Sequence, residues 1–215
     1  MKITVQGGYV PNALAELGPG EEAYCESGVM VYSDPSVTFH QRAFTQGGLG
    51  KTLKRTLIGG IPFYLHTYIG PGYAAFSRFG PGEIRIVELA PGEIVDVAEH
   101  SLLLASATVG YDAIYIPGTG RIGRMVGFWM DRLTGPGTIV LHGHGNILTF
   151  NLPAGETFDV DHGGVLMKDD KIQMESFSQN LGGGLLGAAM SYYALRIRGP
   201  GRLWLQTMDP THPRR

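Results

Sequence analysis

The chain is poor in cysteine, in charge and in long apolar runs. A single cysteine, Cys25, in 215 residues excludes an internal disulfide and any multi-cysteine metal site. Charged residues make up 17%, against about 25% in ordinary globular chains. The formal net charge of −2 argues against broad attraction to nucleic acid or to an anionic membrane. The longest apolar stretch, Leu181 to Ile197, is broken by four glycines, a serine and an arginine, and falls short of the roughly 20 apolar residues of a membrane span. The opening residues, MKITVQGGYVPN, lack the apolar centre of a signal peptide. These absences set the expectation of a protein in a reducing, cytoplasmic setting.

Glycine is what the chain has in excess: 33 residues, with 13 prolines spread among them rather than pooled in a linker. That composition describes many tight turns between short strands. The turns also repeat. Gly-Pro-Gly stands in matching contexts at FYLHTYIGPGYAAFSR (63–78), FWMDRLTGPGTIVLHG (128–143) and YYALRIRGPGRLWLQT (192–207). Ala75, Val140 and Trp204 share a column there. A second set recurs in the same order: LGPGEEAYCESGVMVYSD (17–34), LAPGEIVDVAEHSLLLAS (89–106) and LPAGETFDVDHGGVLMKD (152–169). Ala23, Val95 and Phe158 share one column, and Cys25, Val97 and Val160 share the next but one, which is the strand period.

The chain therefore reads as one domain of three repeats, about 12–79, 84–143 and 147–208. The fold class expected is mainly β, a pseudo-threefold β-prism or double-stranded β-helix-like architecture with short helical turns. Proline followed by glycine at each Gly-Pro-Gly suggests a type II turn.

The recurring PGE hairpin, the glycine-rich loop of each unit, the aromatic-x-x-x-Arg strand before Gly-Pro-Gly and the ending GPGRLWLQT (199–207) resemble one family. It is named for altered inheritance of mitochondria, member 24. The resemblance covers nearly the whole chain. It implies a β fold comparable to the tryptophan RNA-binding attenuation protein, and it implies no catalytic residues. Eukaryotic members are associated with organisation of the mitochondrial inner membrane. No transit peptide is legible here, so that role is not expected to carry over.

QGGLGKT (46–52) resembles a P-loop, but Thr45 stands where its first glycine belongs, and no βα alternation follows. The glycines recur without the lysine at GTGRIGRM (118–125) and LGGGLLGAA (181–189), so they belong to the repeat. Six extra residues in the first unit make room for an amphipathic turn with Leu49, Leu53 and Leu57 on one side. Its Lys51, Lys54 and Arg55 are the candidate contact for an anionic partner or membrane surface.

His142 and His144 have the His-x-His spacing of one strand face, and with His162 as a third ligand they make a cupin-like divalent metal site the enzyme alternative. The glutamate such a site wants after the second histidine is missing, and flanking glycines suggest solvent-facing histidines. Cys25 reads as a small core residue, and Asp96 and Asp159 as turn or edge hydrogen-bonding groups. Tyr192, Tyr193, Arg196, Arg198, Arg202 and Trp204 interleave basic and aromatic residues as RNA-stacking surfaces do, but the charge balance disfavours nucleic acid. The expectation is a non-enzymatic, homo-oligomeric scaffold or interaction module without a cofactor.

Overall fold

The computed structural model describes residues 1–43, 64–116, 128–179 and 192–209. The first unit runs β1 (Lys2–Gln6), β2 (Asn12–Leu17), β3 (Glu22–Glu26), β4 (Met30–Ser33), β5 (Thr38–Ala43), β6 (Tyr64–Ile69) and β7 (Gly72–Phe76). The second runs β8 (Gly82–Leu89), β9 (Ile94–Ala98), β10 (Leu102–Ser106), β11 (Gly110–Ile116), β12 (Phe128–Thr134) and β13 (Gly137–His144). The third runs β14 (Ile147–Leu152), β15 (Thr157–Asp161), β16 (Val165–Asp169), β17 (Gln173–Gln179), β18 (Tyr192–Arg198) and β19 (Gly201–Gln206). A 3₁₀ turn at His162–Gly164 is the one helical element among the described residues. No helix among them is long and apolar enough to cross a membrane.

Alternation fixes which face of each strand turns inward. In β2, Ala13, Ala15 and Leu17 are buried, while Glu16 between them is exposed. All pairing is antiparallel, and it follows one pattern in every unit. The first strand lies beside the last, as β2 with β7, β8 with β13 and β14 with β19. The last strand takes β4, β10 or β16 on its other side, with a register break in each case. The remaining strands form a second half-sheet, β3 and β5 around β6, β9 and β11 around β12, β15 and β17 around β18.

Units are joined by handing a strand across. β10 of the second unit pairs with β3 of the first, and β16 of the third pairs with β9 of the second. Two six-stranded sheets result, in the order β5-β6-β3-β10-β13-β8 and β11-β12-β9-β16-β19-β14. Four strands (β1-β2-β7-β4) and three strands (β15-β18-β17) form the outer sheets. Three apolar clusters fill the interior, one per unit, and each borrows from its neighbour. Leu103, Leu104 and Val140 of the second unit pack with Tyr68 and Phe76 of the first. Met130 of the second packs with Leu195 and Ile197 of the third.

The Gly-Pro-Gly turns differ from the type II geometry expected of them. The peptides Gly70–Pro71, Gly135–Pro136 and Gly199–Pro200 are cis, and the following glycines have φ of 133°, 144° and 142°, well beyond the type II value of about 80°. The reason is contact with a second turn. Gly70, Gly135 and Gly199 donate N–H bonds of 3.0, 2.9 and 3.0 Å to the carbonyls of Glu21, Glu93 and Glu156 in the PGE turns. A Cβ on these glycines would overlap the carbonyl oxygens of Gly18, Ala90 and Pro153. Gly135→Ala should therefore lower unfolding stability by roughly 3 kcal/mol through overpacking. Gly8→Ala, where a Cβ meets nothing within 4 Å, should change it by less than about 1 kcal/mol. Urea titration of the two variants checks this.

Candidate functional site

The histidines share one face at the end of β13, with His142 buried and His144, the last residue of the strand, half-buried. His142 is fully buried, which corrects the expectation of a solvent-facing side chain. The flanking glycines serve packing rather than an exposed turn: a Cβ on Gly143 would meet Ile147 at 2.7 Å, and a Cβ on Gly82 would meet the His142 Nε2 at 2.6 Å. The His142 ring is thus pressed against the backbone of β8. Neither of its nitrogens has a hydrogen-bond partner among the described residues, and its ring meets that of His144 edge-on at 4.9 Å. Burial, with the nearby His144 and Arg78 adding to it, pushes its pKa down to about 4. Burial and Arg78 lower His144 too, against Asp209.

Gln206 occupies the His142 position in the third unit and links the region together. Its Oε1 accepts from the His144 N–H at 3.0 Å, and its Nε2 donates to the Gly163 carbonyl at 2.8 Å. His162 rides on that same 3₁₀ turn. The structure brings His142 and His144 side by side, and ties the His162 turn to them through Gln206. Among the described residues, no group of three or more His, Cys, Asp and Glu is arranged to hold a metal. Lys51, Lys54 and Arg55 lie outside the described residues, as do all three glycine-rich loops.

Cys25 is fully buried, and burial pushes its thiol up to about 12, so it is a core residue rather than a nucleophile. Asp96 corrects the expectation of a turn or edge group. It is buried in the middle of a six-stranded sheet, bound by Arg132 at 2.7 and 3.0 Å and by Lys168 at 2.7 Å. Burial pulls its pKa up, and these two cations outweigh that and leave it lowered. Asp159, its counterpart on β15, does sit at an edge, paired with Arg196 at 2.8 Å. The cations of the arginine-aromatic stretch are engaged as well. Arg196 also lies over Phe177 at 4.7 Å, and Arg202 binds Asp169 and Glu93.

One cluster escaped the sequence reading. Glu26, 2% exposed, accepts from Arg78 at 2.5 Å and from the Leu102 N–H at 3.2 Å, and faces His100 Nδ1 at 3.2 Å. The Glu26 hydrogen bond raises the His100 pKa. The available signal was a break in the repeat: Glu26 stands where the second unit has Ala98, and Arg78 where it has Gly143.

The strand pattern and the turn-to-turn contacts agree with a family model described as mitochondrial biogenesis AIM24, which matches residues 3–208. The chain belongs to the AIM24 family. Its fold is also that of protein SPYM3_0169 from Streptococcus pyogenes, known from an X-ray crystal structure. That protein is 21% identical, with a TM-score of 0.72 over 97% of this chain and 94% of that one. No curated protein matches significantly.

A depressed histidine pKa has a definite sign in stability. The unfolded chain takes up a proton near pH 6.5, ahead of the folded one, so the His142 contribution is intact above that pH and is lost on descent toward pH 4. Wild type should therefore lose about 2–3 kcal/mol more than His142→Gln between pH 7.5 and pH 4.5. Urea titrations of both proteins at the two pH values measure the difference, and equal losses would contradict the buried neutral imidazole.

Proposed function

We propose that this AIM24-family protein is a non-enzymatic β scaffold that assembles with itself and presents surfaces to protein or membrane partners. The observation that carries this reading is the distribution of exposed apolar side chains. Nine of the twelve large ones exposed among the described residues lie between Val5 and Phe79, so the uncovered area is concentrated on the first unit. Tyr32 at 45% and Tyr73 at 44% exposure stand together there, with ring centroids 6.3 Å apart. Concentrated apolar surface of that kind serves contact with another macromolecule. Lys51, Lys54 and Arg55 would extend the contact to an anionic partner surface.

The chemistry of the interior supports the same reading. The thiol is buried, the buried carboxylates of Glu26 and Asp96 are neutralised by cations, and His142 is packed without a hydrogen-bond partner among the described residues. A cupin-like centre for a divalent metal or small molecule is the weaker alternative, since His142 and His144 supply two ligands where such centres use three or four. Multi-angle light scattering of untagged protein at micromolar concentration tests the scaffold. A mass of several chains is expected, and a single-chain mass of 23.2 kDa across the concentration range would remove it.

A further inference from the structure

The described strands form two hand-overs between units, and the ends of the array carry the strands equivalent to the two sides of such a junction. In the first, Ala105 of β10 faces Tyr24 of β3, and Ser106 faces Ala23. In the second, Met167, Lys168 and Asp169 of β16 face Val97, Asp96 and Val95 of β9. By their pairing with β7, β13 and β19, Tyr32, Leu104 and Met167 are equivalent, as are Ser33, Ala105 and Lys168. By their pairing with β6, β12 and β18, Tyr24, Asp96 and Asp159 are equivalent.

The missing junction would therefore join β4 to β15. Both are outermost strands of their sheets, with no pairing on the outer side among the described strands. Burial tells the same story. Leu103, Leu104 and Leu166, Met167 are 0% exposed at the formed junctions, whereas Val31 and Tyr32 on β4 are 58% and 45% exposed. Asp96 is 0% exposed, whereas the Asp159 side chain is 46% exposed.

We propose that β4 of one chain pairs antiparallel with β15 of a second copy. Tyr32 then faces Val160, Ser33 faces Asp159, and Asp34 faces Phe158. A seven-stranded sheet is completed across the interface, with the order β17-β18-β15-β4-β7-β2-β1, which matches the two six-stranded sheets with β1 added beyond β2. The chemistry fits a second copy of this chain. Val31 and Tyr32 gain the cover that their counterparts have, and the Ser33 hydroxyl can donate to Asp159 as Lys168 does to Asp96. Unpaired edges of this kind recruit another strand unless they are blocked. The contact is head-to-tail, so assembly proceeds to a ring or a filament rather than to a twofold dimer. This inference rests on the scaffold reading and names the surface through which it works.

Disulfide trapping tests the pairing. Directly opposed strand residues have Cα atoms about 4.5–5.5 Å apart, within disulfide range, and the native Cys25 is buried. One chain carries Ser33→Cys and the other Asp159→Cys. Mixed and oxidised, they should form a covalent dimer holding one of each, at least tenfold above the dimer formed by either alone. Absence of that dimer overturns the pairing. So does a doubly substituted chain that forms its bond only within itself, which would mean closure of the array on its own ends. Val31→Lys, at an exposed position, should leave the single-chain fold intact and abolish assembly in light scattering. Assembly that survives Val31→Lys and yields no cross-link overturns the β4–β15 seam while leaving the scaffold standing. A wild-type protein that is a single chain overturns both.

Discussion

Three pairs of turns hold this molecule in shape through backbone contact. In each unit a Gly-Pro-Gly turn lies against the PGE turn that opens the same unit, closely enough that a side chain on its first glycine would overlap a carbonyl oxygen. The N–H of that glycine bonds to the carbonyl of Glu21, Glu93 or Glu156. Glycine is the residue that allows such an approach. The contact brings the two half-sheets of a unit to a fixed separation at one end. Strand register, the enclosed apolar cluster and the position of the hand-over strands all follow from it.

The glycine pattern made the repeat legible, because a steric requirement repeated three times leaves the same letters three times. The cis geometry of the turns was not legible, since Gly-Pro-Gly serves several turn types and the deciding partner is a distant turn, Glu21 for Gly70, Glu93 for Gly135 and Glu156 for Gly199. Hand-over between units left no local mark either. β10 and β16 pair with strands of the preceding unit, and nothing in their own alternation distinguishes a strand of one unit from that of the next. His142 shows the limit from the other side. His-x-His is a visible spacing, but its burial depends on Gly82 and Gly143, whose missing side chains let β8 and the neighbouring Ile147 close over it.

Polar groups in the interior mark where units meet. Asp96, Lys168 and Arg132 neutralise one another at the junction of the second and third units. Glu26, Arg78 and His100 gather where the first meets the second. Charges buried in this way are costly unless paired, and so they favour one register over its neighbours. The turns and cores recur from unit to unit, while these pairs differ between junctions and individualise them. Asp159 is paired with Arg196, the equivalent of the Arg132 that binds Asp96, and no second cation pairs with it among the described residues.

Hydrogen exchange resolved along the strands addresses the central claim most directly, because it compares formed and open junctions in one protein. Seam pairing predicts that amides of β4 and β15 are protected at high protein concentration to the same degree as those of β10 and β9. It also predicts that this protection falls on dilution while that of β10 and β9 stays. Rapid exchange in β4 and β15 at every concentration, or protection that does not change with dilution, would contradict it.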